Sequence, residues 1–144
     1  MSFELPPVVK LAERIMLEVE LIVRHFPRYH KYMVGERLRD HAMDVNFLCN
    51  RAWFDKTNQA RWLSRLVFKV DDFKSVLQLA KEVQAFKSFA QFEALARLVT
   101  DLGRQCGSWK RKQQDSGQNV SGYRAHSQRP QRLSARSASG EANP

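Results

Sequence analysis

The chain has 144 residues, 43% of them hydrophobic, and carries 24 Lys and Arg against 15 Asp and Glu for a net charge of +9. That length and apolar content suit one domain with a sizeable core, while two cysteines are too few for a disulfide scaffold. No apolar run reaches the roughly 20 residues that cross a bilayer, which excludes a membrane-spanning protein. Glu4, Pro6 and Pro7 do not fit a signal peptide, so a cytoplasmic protein is expected. The charge excess attracts phosphate, anionic lipid or an acidic protein.

Pro6 and Pro7 suit the entrance to a helix, where a missing N–H costs nothing. From Val8, the positions Val8, Ala12, Ile15, Val19, Ile22 and Phe26 form a heptad-like seam that fits bundle packing. Leu11, Leu17 and Leu21 fall outside the seam and widen the apolar surface, which predicts a contact between subunits there. Phe26-Pro27-Arg28 ends this helix, because proline disfavours the helical conformation in the residue before it.

A second helix is predicted from about His30 to Phe54, with Val34, Leu38, Ala42, Val45, Leu48, Cys49 and Ala52 facing inward. Asp55-Lys56-Thr57-Asn58 reads as a loop with a Thr or Asn cap. The third helix spans roughly Gln59 to Phe86 and passes through Asp71-Asp72 without losing phase. Its stripe comprises Leu63, Leu66, Val67, Val70, Phe73, Val76, Leu77, Ala80, Val83 and Phe86. Only Lys87 and Ser88 separate it from a fourth helix, a join that permits only an antiparallel return. That last helix carries Phe92, Leu95, Ala96, Val99, Leu102, Gly103, Cys106 and Trp109 at steps of three and four, and ends near Lys112.

The expected architecture is therefore all-α, an antiparallel four-helix bundle over residues 1–112. Residues 113–144 are rich in Ser, Gln, Arg and Gly and bury too little to offset ordering entropy, so they are expected to be a disordered basic tail. Four arginines there stand against Asp115 and Glu141, a contribution of +2 that leaves +7 on the helical part.

Catalysis needs a convergent set of groups, and the carboxylates here are scattered along outward faces. His25, His30 and His41 lack tight ligand spacing with Cys49 or Cys106, so no metal site is expected. Nor is there a glycine-rich phosphate loop. No enzyme and no cofactor are predicted. The cations are more ordered. Arg51, Lys56, Arg61, Arg65 and Lys69 run from the end of the second helix into the third, with Arg61, Arg65 and Lys69 four apart on one face. Lys74 and Lys81 follow, seven apart, and Lys110-Arg111-Lys112 closes the last helix. Such residues bind phosphates and position a nucleic acid without reading its sequence. Trp53, Trp62 and Tyr29 are candidate stacking platforms, although burial suits the tryptophans better. An alternative is an oligomeric assembly or adaptor protein that holds an acidic protein partner without nucleic acid.

Several short motifs bear a family resemblance. Phe26-Pro27-Arg28-Tyr29-His30-Lys31-Tyr32 resembles the Phe-Pro joint of small bacterial four-helix-bundle proteins, including those encoded by intervening sequences in large ribosomal RNA genes. Asn50-Arg51-Ala52, Leu77-Gln78-Leu79-Ala80, Asp101-Leu102-Gly103-Arg104 and Gly107-Ser108-Trp109 are similar to one branch, the accessory variability determinants (Avd) of diversity-generating retroelements. The resemblance covers residues 8 to about 112. It implies a homopentameric, positively charged ring that binds the retroelement's reverse transcriptase and its template RNA, or DNA or the hybrid, and supports mutagenic cDNA synthesis. It adds Arg104 to the expected contacts. The family commonly has two arginines four apart on the third helix; here Lys74 matches the first and Gln78 replaces the second, which removes one bidentate fork and one charge.

Overall fold

The computed structural model describes residues 4–137 of the chain, with side chains as far as Ser116. It contains α1 (Pro7–Val23), a single turn α2 (Arg28–Lys31), α3 (Val34–Phe54), α4 (Gln59–Glu82) and α5 (Phe89–Ser137). No strand occurs among the described residues. The four long helices make the all-α, antiparallel bundle that the spacing predicts. By internal contacts the chain divides into Met1–Lys110 and Arg111–Pro144, close to the compositional boundary at 112/113.

The seams turn inward nearly as the periodicity requires. Val8, Ala12, Ile15, Val19 and Ile22 are buried from α1, and Leu38, Ala42, Val45, Cys49 and Ala52 from α3. Leu63, Leu66, Val70, Phe73 and Leu77 join them from α4, and Leu95, Val99, Leu102 and Cys106 from α5. No polar or charged side chain is buried among the described residues, so the core has no polar desolvation to offset. Cys49 and Cys106 are free thiols inside this core. A hydrogen bond with Cys106, and then burial, push the Cys49 thiol far above its ordinary range. It stays protonated and inert.

The corners depart from the sequence reading. α1 begins where the prolines place it, with Pro7 its first residue, but it stops at Val23 rather than Phe26. Residues 28–31 form a separate turn, and α3 starts at Val34 rather than His30. The break lies at Met33, whose φ of −115° and ψ of −94° are not helical. Phe26 is freed to plug the core, where its ring meets Phe86 edge-on at 5.2 Å.

At the other corner α4 ends at Glu82, four residues before the predicted Phe86. Gln84 adopts the left-handed conformation at φ 60°. The Ala85 N–H then reaches back to the Ala80 carbonyl at 2.9 Å, the six-to-one bond of a Schellman turn. This turn buries Ala85 and brings Phe86 to 5.5 Å from Phe92. Val83 is left 39% exposed, although the stripe predicted it inside. Glycine has no steric penalty at this backbone angle. Gln84→Gly is therefore expected to raise stability by about 0.5–1 kcal/mol, visible as a later urea midpoint with an unchanged slope.

α5 opens with a reciprocal cap. Ser88 Oγ accepts from the Gln91 N–H at 3.1 Å, and Gln91 Oε1 accepts from the Lys87 N–H at 3.0 Å. The Ser-x-x-Gln spacing is a start signal legible in sequence. At its far end α5 extends to Ser137, past the predicted end near Lys112. Gln113 and Gln114 are tolerant of helix and nothing beside Lys112 breaks it. The disorder expected for residues 113–144 falls mostly on 117–144, whose side chains lie outside the described residues.

Candidate nucleic-acid interface

The loop between α3 and α4 builds the most organised polar cluster on the molecule's described surface. Gln59 Nε2 donates to the Ala52 carbonyl at 2.8 Å and so satisfies one orphan acceptor at the end of α3. Asn58 occupies the cap position of α4, but its side chain does not cap the helix. It donates instead to Asp55 Oδ2 at 3.0 Å, while its N–H donates to Asp55 Oδ1 at 3.2 Å. The expected Thr or Asn cap is thus replaced by an aspartate that gathers the loop. Trp62 Nε1 completes the set, donating to Asp55 Oδ2 at 2.9 Å.

These bonds favour the ionised carboxylate. The Trp62 indole first, and then Asn58, hold Asp55 below the usual carboxylate range. Because its folded pKa is depressed, the contribution is present above the unfolded value near 4 and fades as pH falls through the folded value. Asp55→Asn is expected to flatten that acid limb of the stability curve. Urea unfolding at a series of pH values, followed by far-ultraviolet circular dichroism, measures it.

Three of the predicted cations converge on this corner. The guanidinium carbons of Arg51 and Arg65 lie 5.2 and 5.5 Å from the centroid of the Trp62 ring. Lys56 Nζ sits 3.9 Å from the centroid of Trp53. Such contacts are worth roughly 0.5–1 kcal/mol each at exposed sites. Their larger consequence is geometric. Both tryptophans pack against the core, so they hold flexible cations near fixed positions while Arg51, Lys56 and Arg65 remain exposed. One acid, Asp55, stands among them. The corner is cationic, with donors free to face phosphate oxygens.

The remaining predicted residues make none of these contacts with Trp53 or Trp62. Arg61 is exposed in the first turn of α4. Lys69 is drawn toward α3 by an ion pair with Asp44 at 3.3 Å. Lys74 and Lys81 lean the other way, toward α5. A Cβ on Gly103 would stand 2.8 Å from Lys74 Nζ, and Lys81 Nζ lies 5.2 Å from the Phe92 centroid. Gln78 Nε2 donates to Glu82 Oε2 at 3.1 Å. Arg104 pairs with Asp101 at 3.5 Å. Arg111 and Lys112 are exposed and Lys110 is half-buried. Tyr29 is exposed at the opposite end of α3 from Trp53, so it cannot extend the tryptophan platform.

The predicted leucine contact also divides. Leu11 packs against the core, whereas Leu17 and Leu21 are exposed. Sequence reasoning missed a second apolar surface, on which Phe47, Phe68 and Leu79 are each more than half exposed. All three lie outside the inward seams of α3 and α4, a signal that was available from the same periodicity.

Among the described residues, no three His, Cys, Asp or Glu side chains group as metal ligands, and no helix is long and apolar enough to cross a membrane. Comparison of the chain with protein-family models, and with curated proteins, finds no match.

Proposed function

We propose that this chain is a non-enzymatic accessory subunit of a diversity-generating retroelement. In this reading it forms a basic oligomeric ring that binds the reverse transcriptase and the template RNA and supports mutagenic cDNA synthesis. The observation that carries the RNA contact is the corner where Arg51, Lys56 and Arg65 are mounted on Trp53 and Trp62. Arg51 belongs to the Asn50-Arg51-Ala52 motif, one of those that bear the Avd resemblance. The mechanism is electrostatic clamping of the phosphate backbone. Fixed guanidiniums lose less freedom on binding than free ones, so they hold RNA beside the polymerase without demanding a sequence.

The test is the salt dependence of binding to template RNA by fluorescence polarisation, for the wild type and for the Arg51→Ala, Lys56→Ala, Arg65→Ala triple variant. Each phosphate contact on single-stranded nucleic acid contributes roughly 0.7 to the log–log slope, so the variant is expected to lose about 2 from it. An unchanged slope removes this corner from the interface. Wild-type protein that binds neither RNA nor reverse transcriptase at about 150 mM salt, where long-range attraction is screened, overturns the reading as a whole.

A further inference from the structure

The groove between α3 and α4 opens directly from the tryptophan corner, because Arg65 belongs to both. Its guanidinium carbon lies 5.5 Å from the Trp62 centroid, and its side chain also lines a cavity of about 420 Å³ between the two helices. That volume falls in the range of small-ligand clefts, about 300–1,000 Å³. Two contacts fix the register of the antiparallel walls. Lys69 pairs with Asp44 at 3.3 Å, and Arg51 reaches the Trp62 ring at 5.2 Å, so seven residues along α3 match seven back along α4. Phe47 is thereby level with Leu66, and Phe68 stands only two residues, about 3 Å, further along. The two phenyl rings line the cavity from opposite walls and remain 54% and 69% exposed.

Both walls carry the same order of side chains. On α3 it is Arg51, Phe47 and Asp44, and on α4 it is Arg65, Phe68 and Asp72, each at steps of three and four that keep to one face. From the tryptophan corner the cleft therefore passes from cations to aromatic rings to carboxylates. Lys69 neutralises Asp44, whereas the Asp72 carboxylate has no ion pair or hydrogen bond among the described residues.

We infer that this cleft takes one unstacked base of a single-stranded nucleic acid, with the phosphates at Arg51 and Arg65, the base against Phe47 and Phe68, and its edge toward Asp72. This rests on the phosphate contact of the proposed function and names the form of nucleic acid that it holds. A nucleotide presents anion, aromatic ring and N–H donors in the order that the cleft presents their counterparts. Asp72 repels a phosphate, but its oxygens accept from the N–H groups of a base edge. The phenyl rings offer the stacking that single-strand binders use, which every base can accept. A duplex presents the same phosphates, yet its bases are already paired and stacked, so it engages only the cationic end.

Two double variants at these exposed positions separate the rings from the charges. Phe47→Leu/Phe68→Leu keeps apolar bulk without an aromatic face, and Phe47→Tyr/Phe68→Tyr keeps the ring. An unchanged far-ultraviolet circular dichroism spectrum verifies that both fold. Fluorescence polarisation at about 150 mM salt reads binding to an unpaired RNA strand of mixed sequence, and to the same strand in duplex with its complement. The leucine variant is expected to hold the single strand at least about fivefold more weakly, with the duplex affinity and the salt slope of the wild type. The tyrosine variant is expected to match the wild type. A leucine variant that keeps its single-strand affinity, one that loses both ligands alike, or a tyrosine variant as weak as the leucine one would each overturn the inference and return the rings to a protein contact. The salt slope reports Arg51, Lys56 and Arg65, so a steep slope without a leucine effect leaves the phosphate reading standing. A wild type that binds neither form of RNA ends both.

Discussion

Replacing Phe73 with alanine is expected to cost about 3–5 kcal/mol, the range for removing a buried aromatic ring. Phe73 is fully excluded from solvent and is the largest side chain so buried. It comes from the middle of α4, and its ring stacks on His41 of α3 at 6.3 Å with the planes 29° apart. α3 also packs against α1, so a void there loosens the helix that holds the others together. Domain stabilities run to about 5–15 kcal/mol in all, so this loss takes a large share and lowers the melting temperature by well over ten degrees. Phe73→Leu retains most of the volume and is expected to cost less than half as much. Thermal and urea unfolding by circular dichroism measure both. An alanine variant within about 1 kcal/mol of the wild type is incompatible with this placement.

The second large effect is expected at Gly35. A Cβ there would stand 2.7 Å from Val23 Cγ1, 3.2 Å from the His30 carbonyl oxygen and 3.4 Å from Phe26 Cδ2. Val23 is fully buried and His30 contributes backbone, so neither can give way without moving α1 or the turn. Gly35→Ala is expected to destabilise by about 1–3 kcal/mol, despite the gain of up to about 1 kcal/mol that alanine usually brings to a helix interior. Gly103 provides the control. Its added Cβ would meet Lys74 Nζ at 2.8 Å and Lys74 Cε at 3.2 Å, with Val70 Cγ1 at an ordinary 3.5 Å. The end of a lysine can swing aside, so Gly103→Ala is expected to be neutral or stabilising by up to about 1 kcal/mol. The same substitution in two helices of one bundle should thus change sign. Equal effects in urea unfolding would contradict the two environments.

The reading of Gly103 from sequence illustrates how far periodicity reaches. Its place on the inward stripe of α5 predicted that it faces a neighbouring helix, and Lys74 of α4 indeed crosses it. The partner was not legible, because spacing along one helix says which residues turn inward and nothing of what they meet. Gly35 was not singled out at all, since the contact that demands it comes from Val23 and His30, on separate elements. The corners failed for a related reason. The stripe through Val83 and Phe86 continues in helical phase, yet the chain leaves the helix at Gln84 to bury Ala85 and pack Phe86 between Phe26 and Phe92.

The candidate site divides the same way. Composition and spacing located Arg51, Lys56, Arg61, Arg65 and Lys69 as a basic run, and Trp53 and Trp62 as possible platforms. Only packing brought Arg51 and Arg65 onto one indole, sent Lys69 to Asp44, and turned Lys74 and Lys81 toward α5. Likewise Leu11, Leu17 and Leu21 all fell outside one seam, and contact with the core then claimed Leu11 alone. By itself the sequence determined the four long helices, their antiparallel order and nearly all of the core, because a repeat of 3.6 residues and short connections act within one segment at a time. Where helices end, which cations share a face and which apolar side chains stay outside were decided only in the tertiary structure. Each of those depends on how one helix is rotated against its neighbours, and that rotation is set by the side chains of all of them together.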